Sequence, residues 1–174
     1  MTYLCSMDTI VNKVAESGIV TLNLEQYLPK PEQIASLDIA PFLFKGMILR
    51  EKDFRTSLLE LDWTPFENKQ VAVFCSADAI IPMWAYMLLA TYLYKCGATP
   101  FYGTVAQLTE HLLLQAIDQI DISTYTDSRL VIKGCSDIQI PESAYFKVSQ
   151  KVLPVVKSLM YGEPCSTVPI YKKK

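Results

Sequence analysis

Apolar residues change their spacing along this chain near Gln70. Beyond it, short apolar runs alternate with longer stretches in which apolar residues recur every three or four positions. Val71–Phe74 is a continuous apolar run, as expected of a strand buried on both faces. Pro82 opens a helix to Lys95 that is apolar nearly all round, which predicts deep burial. Gly97-Ala98 turns the chain into a short strand, Thr99–Tyr102. Thr104 and Gln107 form a capping-box pair ahead of a helix that points Leu108, Leu112, Leu113, Ala116, Ile117 and Ile120 inward. Leu130–Ile132 is the next strand. A last helix begins at Pro141 and carries Val148, Val152, Val155, Val156 and Leu159 at helical spacing. Pro154 should kink it and Gly162 should end it.

The first seventy residues are less regular. Asp8 caps a short helix with Ile10, Val11 and Val14 on its apolar face and Gly18 as its stop. Val20, Leu22 and Leu24 alternate with Thr21 and Asn23, the mark of a strand with one wet face. Pro29 and Pro31 break the chain, and Asp38 caps a second helical stretch reaching Phe44. Arg50–Leu61 is an amphipathic helix with Phe54, Leu58 and Leu61 on one side. Strand and helix then alternate, which predicts parallel strands joined by right-handed crossovers. The expected fold is one α/β domain over residues 1–174, a three-layer-like sandwich. Its central sheet is mainly parallel, and the N-terminal strand is added at an edge. The strand order Thr99–Tyr102, Val71–Phe74, Leu130–Ile132 is expected within that sheet.

Composition narrows the function classes. The 174 residues are 51% hydrophobic and 20% charged, the balance of a packed globular protein. A net charge of −2 gives no field to attract nucleic acid or acidic lipid, and Lys172-Lys173-Lys174 reads as a solvated tail. No apolar run reaches the ~20 residues needed to span a bilayer, and no signal peptide is recognisable. A cytoplasmic protein is expected. The 5 cysteines then belong to a reducing compartment, where disulfides are disfavoured. Cys5 and Cys96 read as bystanders.

The remaining three cysteines share a context. Val71-Ala72-Val73-Phe74-Cys75-Ser76-Ala77-Asp78 runs on to Pro82, and Leu130-Val131-Ile132-Lys133-Gly134-Cys135-Ser136-Asp137 runs on to Pro141. Pro-x-x-Ala-Tyr is identical in both, at Pro82–Tyr86 and Pro141–Tyr145. A third Cys-Ser, Cys165-Ser166, follows Pro164. On neighbouring parallel strands, Cys75 and Cys135 would stand about 4.8 Å apart across the ladder, a separation that suits two thiolates on one metal. Both precede a helix N-terminus, which favours the thiolate. The first reading is therefore a metal site with Cys75, Cys135 and Cys165 as ligands, supported by Ser76, Asp78, Ser136 and Asp137. Soft thiolates select zinc or an iron–sulfur cluster over magnesium or calcium. Cys165 joins only if the C-terminal tail folds back.

Two other classes stand beside it. In one, a loop cysteine is a nucleophile carrying persulfide sulfur, as in a sulfurtransferase. In the other, the three loops merely pack and cap: cysteine is among the most buried residue types, and serine and aspartate after a strand commonly cap the next helix. The protein is then structural or partner-binding, with a homodimer through its aromatic-rich surface. His111 lies in mid-helix and reads as a surface residue, which disfavours Cys-His hydrolysis. There is no Cys-x-x-Cys, phosphate loop or dinucleotide fingerprint.

The chain resembles a bacterial family described as domain of unknown function 2480. The likeness rests on Ile10–Ala15, Leu49-Arg50-Glu51-Lys52-Asp53-Phe54-Arg55, Cys75–Ile80, Lys133–Asp137 and Gly162–Lys172. It implies no established activity. Members tend to be encoded beside iron–sulfur assembly components, so it implies iron–sulfur assembly proteins as partners.

Overall fold

The computed structural model describes residues 18–134, 138–163 and 165–174. The helix expected after Asp8, and Cys5 with it, lies outside the described residues. The chain is a mixed α/β protein with mainly parallel strands, divided into two compact units. Among the described residues no helix is long and apolar enough to cross a membrane.

The continuous unit, Leu28–Ala116, is built on a parallel sheet of β2 (Ile34–Asp38), β3 (Gln70–Phe74) and β4 (Thr99–Tyr102), in that order. Central β3 reads apolar throughout because both its faces are covered: Val71, Ala72 and Val73 are buried. Helix α1 (Glu51–Glu60) buries Phe54 and Leu58, as its amphipathic spacing predicts. Helix α2 (Met83–Lys95) buries Ala85, Leu89 and Leu93 in the same core. Its other face is not buried. Met83 and Met87 are each 71% exposed, and Ile80 before them is 93% exposed. The deep burial expected of this helix thus holds for one face only, since an all-apolar sequence cannot report which side meets the sheet. Helix α3 (Val105–Asp118) starts with the expected box: Thr104 N–H donates to Gln107 Oε1 at 2.9 Å, and Gln107 N–H donates to Thr104 Oγ1 at 3.3 Å.

The split unit comprises the chain up to Tyr27 and from Ile117 onward. Its sheet runs β1 (Ile19–Leu22), β5 (Arg129–Lys133), β6 (Ser158–Glu163), β7 (Ser166–Lys172). The first three strands are parallel and β7 is antiparallel to β6. The N-terminal strand is an edge strand, as expected. Helix α4 (Glu142–Val152) buries Ala144, Val148 and Val152.

Three expectations are corrected. The first is the single central sheet, since strands occupy two sheets. The ladder edges of β3 are filled by β2 and β4, and those of β5 by β1 and β6, so the strands preceding Cys75 and Cys135 are not neighbours. Second, Ile34–Asp38 is a strand and not the lead of a helix; the cap at Asp38 serves a short 3-10 turn, Ala40–Phe42. Third, no helix reaches Gly162. Pro154 has no N–H to give, and its ring collides with the carbonyl four residues back, so α4 stops at Val152. The β-branched Val155 and Val156 lead the chain to the sheet, where Lys157 N–H donates to Ser128 O at 2.8 Å. The tail does fold back, as the hairpin of β6 and β7.

Candidate functional site

The register of the two sheets exposes a repeat. Leu37 pairs with Val73, which pairs with Tyr102. In the split unit Leu22 pairs with Ile132, which pairs with Tyr161. Counting from Val73 and Ile132, the helix-opening prolines Pro82 and Pro141 fall nine residues on, and Tyr86 and Tyr145 thirteen. Both prolines occupy the N-cap with matching backbone, φ −63° and ψ 142° against φ −66° and ψ 147°. Each strand tyrosine is followed by a glycine at positive φ, Gly103 at 143° and Gly162 at 123°. Asp38 and Asn23, next after the paired leucines, each accept the N–H two residues ahead, at 2.9 and 3.1 Å. One β-β-α-β frame is used twice.

That frame places Cys75 two residues past Val73, and the residue two past Ile132 is Gly134. The Cys-Ser identity had matched Cys75 to Cys135, one position later. A side chain at Gly134 would displace the Tyr161 ring, since a Cβ there would lie 2.7 Å from Tyr161 Cζ. Cys135, Ser136 and Asp137 lie outside the described residues.

Cys75 is half-buried and lines a cavity of about 310 Å³ beyond the carboxyl ends of β3 and β4. Tyr86, Tyr102, Gly103, Thr104 and Gln107 share the lining. This is where ligands bind in open parallel sheets. The Cys75 thiol donates to Ala77 O at 3.5 Å. The two tyrosine rings meet edge to face at 5.4 Å. Burial, then the neighbouring Tyr102 and Cys75 charges, push the Tyr86 hydroxyl above its ordinary value, so it stays a protonated donor beside the thiol. Behind the cavity, Asp38 Oδ1 accepts Ser76 N–H at 2.9 Å and Oδ2 accepts the Ser76 hydroxyl. Burial alone would raise the Asp38 carboxyl, but bonds from the Ser76 hydroxyl, the Ala40 amide and the Ser76 amide outweigh it and hold the group low. Asp38 thus anchors the loop that leaves Cys75.

The other predicted residues are dispersed. Ser76 and Asp78 are exposed. Cys165 is exposed in the turn between β6 and β7. Cys96 gives its thiol to Leu93 O at 3.1 Å, a packing role as expected. His111 is on the surface. Among the described residues no three or more of His, Cys, Asp and Glu gather where they could hold a metal ion. The described donors therefore do not fit a closed zinc or cluster site. Sequence reasoning passed over Tyr86, Tyr102 and Asp38. Pro-x-x-Ala-Tyr and the repeated Tyr-Gly, at Tyr102-Gly103 and Tyr161-Gly162, were the available signals.

A family model described as protein of unknown function (DUF2480) matches residues 8–173, so the chain belongs to that family. No curated protein and no solved structure matches it.

Proposed function

We propose that this DUF2480 family member is a thiol-based accessory protein of sulfur handling, with Cys75 as the residue that carries sulfane sulfur. One observation carries the reading: a half-buried thiol lines a cavity together with two tyrosines. The Cys75 thiolate attacks the outer sulfur of a donor persulfide. A new S–S bond forms on Sγ as the donor's S–S bond breaks, and the donor leaves as its thiolate. No oxidant or reductant is consumed. The first turn of α3 contributes Thr104 and Gln107 to the lining, and its partial positive charge favours the persulfide anion. Exposed Ile80, Met83 and Met87 follow Cys75 in the chain and give a donor protein an apolar surface to sit on. Iron–sulfur assembly proteins, in the reducing cytoplasm, are the donors and acceptors this reading calls for.

The test is treatment of the reduced protein with sodium polysulfide, followed by mass mapping of each cysteine. One added sulfur on Cys75, abolished by Cys75→Ser and slowed by Tyr86→Phe, supports the proposal. Equal labelling of Cys96 and Cys165, or no labelling, overturns it.

A second reading keeps a metal or iron–sulfur cluster, moved to the split unit. Among the described residues Glu163 Oε1 is a buried oxygen without a hydrogen-bond partner, two residues from Cys165 in the same hairpin. A cation is one group that would satisfy such an oxygen. Zinc and iron content of anaerobically purified wild type, Cys135→Ser and Cys165→Ser decides it; metal-free wild type that takes up none on reconstitution ends this reading and leaves the first intact.

A further inference from the structure

The split unit holds a larger cavity, about 500 Å³, at the place its frame shares with the Cys75 cavity. Its apolar walls include the buried Ile132, Ile140 and Leu159. Tyr145 and Tyr161 meet there edge to face at 5.6 Å, as Tyr86 and Tyr102 do in the other unit. The size and the mainly aliphatic and aromatic lining are those of a small-molecule site.

The polar end of the cavity says what kind of molecule. The Tyr145 hydroxyl hydrogen-bonds Tyr161, and the Tyr161 hydroxyl donates to Gly134 O at 3.4 Å. Each phenol has a single proton. Both are committed along this chain, which ends on a carbonyl that can only accept. What the two oxygens still offer is lone pairs. Glu142 adds a carboxylate at the first turn of α4, and among the described residues no lysine or arginine lines the space. Gln139 and Ser149, also in the lining, can donate as well as accept. The charge preference therefore rests on Glu142: the site attracts positive charge, while an anion would meet the carboxylate and the phenol lone pairs.

We propose that this cavity binds a small amine, with its aromatic or branched apolar body among Ile132, Ile140 and Leu159 and its N–H donors toward Tyr145, Tyr161 and Glu142. It needs no thiol, since the frame puts Gly134 where the other unit has Cys75. The assignment is independent of sulfur chemistry and is tested in the full-length Cys75→Ser protein. With isoleucine and methionine methyl groups labelled for NMR, phenethylamine is titrated against 3-phenylpropionate, which exchanges the ammonium for a carboxylate. The expected result is saturable shifts at the methyls of Ile132, Ile140 and Met160 with the amine. The acid should bind at least tenfold more weakly. Glu142→Gln, at an exposed position, should weaken the amine severalfold with an otherwise unchanged spectrum. Tyr145→Phe should weaken it too, with the same check on the fold. Absence of shifts at these methyls, or equal binding of amine and acid, overturns the proposal.

Discussion

The two units begin alike and finish differently. In each, a central strand enters a loop, a proline opens a helix, and Tyr-Gly falls at or near the end of the next parallel strand. The continuous unit then turns at Gly103 into α3, whose first turn lines the Cys75 cavity. The split unit runs through Gly162 into a hairpin, and Ile170 of β7 lines its cavity in place of a helix end. A frame repeated so closely separates what holds the fold from what sets the chemistry. The shared leucines and prolines hold the fold. Cys75 against Gly134, and a helix dipole against an apolar strand, set the chemistry.

The two glycines offer the largest way to break the comparison. At Gly162 a Cβ would lie 2.5 Å from Ser166 O, a backbone atom that cannot retreat without opening the hairpin. At Gly103 the nearest atoms, Gln107 Oε1 at 2.8 Å and Phe101 Cε1 at 2.9 Å, are side-chain atoms that can move. Both have positive φ, so both substitutions are strained. Gly162→Ala should cost about 3 kcal/mol and Gly103→Ala about 1–2 kcal/mol in urea denaturation. Equal losses would show that the hairpin yields as easily as a side chain.

Asp38 and Asn23 come next. Asp38 serves Ser76 twice and Ala40 once, so Asp38→Ala should cost about 2 kcal/mol. Among the described residues Asn23 bonds to Glu25 alone, accepting its amide N–H and donating to its carboxylate, and Asn23→Ala should cost about 0.5–1 kcal/mol. The acid dependence sharpens the contrast. The folded carboxyl of Asp38 is held below its ordinary value of 3.8, so its contribution is full above that pH and is lost as the pH falls below it. Asp38→Asn should flatten the stability profile in that window, and Asn23→Ala should leave its shape alone.

The smallest effect is at high pH. Tyr86 and Tyr145 are both held above the ordinary value of 10.0, in each case first by burial and next by the partner tyrosine. In an ultraviolet titration each should ionise late, and Tyr86→Phe or Tyr145→Phe should each remove one late group. Because the fold favours the neutral phenols, stability should decline as pH rises past 10. A titration in which every tyrosine ionises at the ordinary value would dissolve the likeness of the two pairs.

Much of the frame was legible along the chain, and the reasons are local. Val71–Phe74 and Leu130–Ile132 are unbroken apolar runs, and the box at Thr104 and Gln107 is a pattern of neighbours. What failed needed distant information. In β2 only Leu37 is buried, so Ile34–Asp38 carries no alternation to read. Val152, Val155, Val156 and Leu159 satisfy helical spacing across Pro154, although Leu159 is in a strand. The division into two sheets depends on which strands pair, and a single central strand looks the same in either arrangement. Cys-Ser drew the eye to a match one residue out of register, while Tyr-Gly, which marks the true frame, was read only as a strand end at Tyr102 and a helix stop at Gly162. The cavities followed from pairing and were therefore not legible.

The insertion of one unit within the other sets an order of birth. Leu28–Ala116 is contiguous, so β2, β3 and β4 have all been synthesised before β5 is made. β1 is made earliest of the described strands, yet its partner Leu130 arrives only after that whole unit. Closing so long a loop adds little entropy beyond a shorter one, because the cost grows only with the logarithm of length. The wait is the harder part, since β1 holds unpaired N–H and C=O groups until β5 arrives, and four residues is a short edge to leave open. The thiol-bearing unit can fold while synthesis continues, and the amine cavity, which needs Ile170 of β7, is completed only after it.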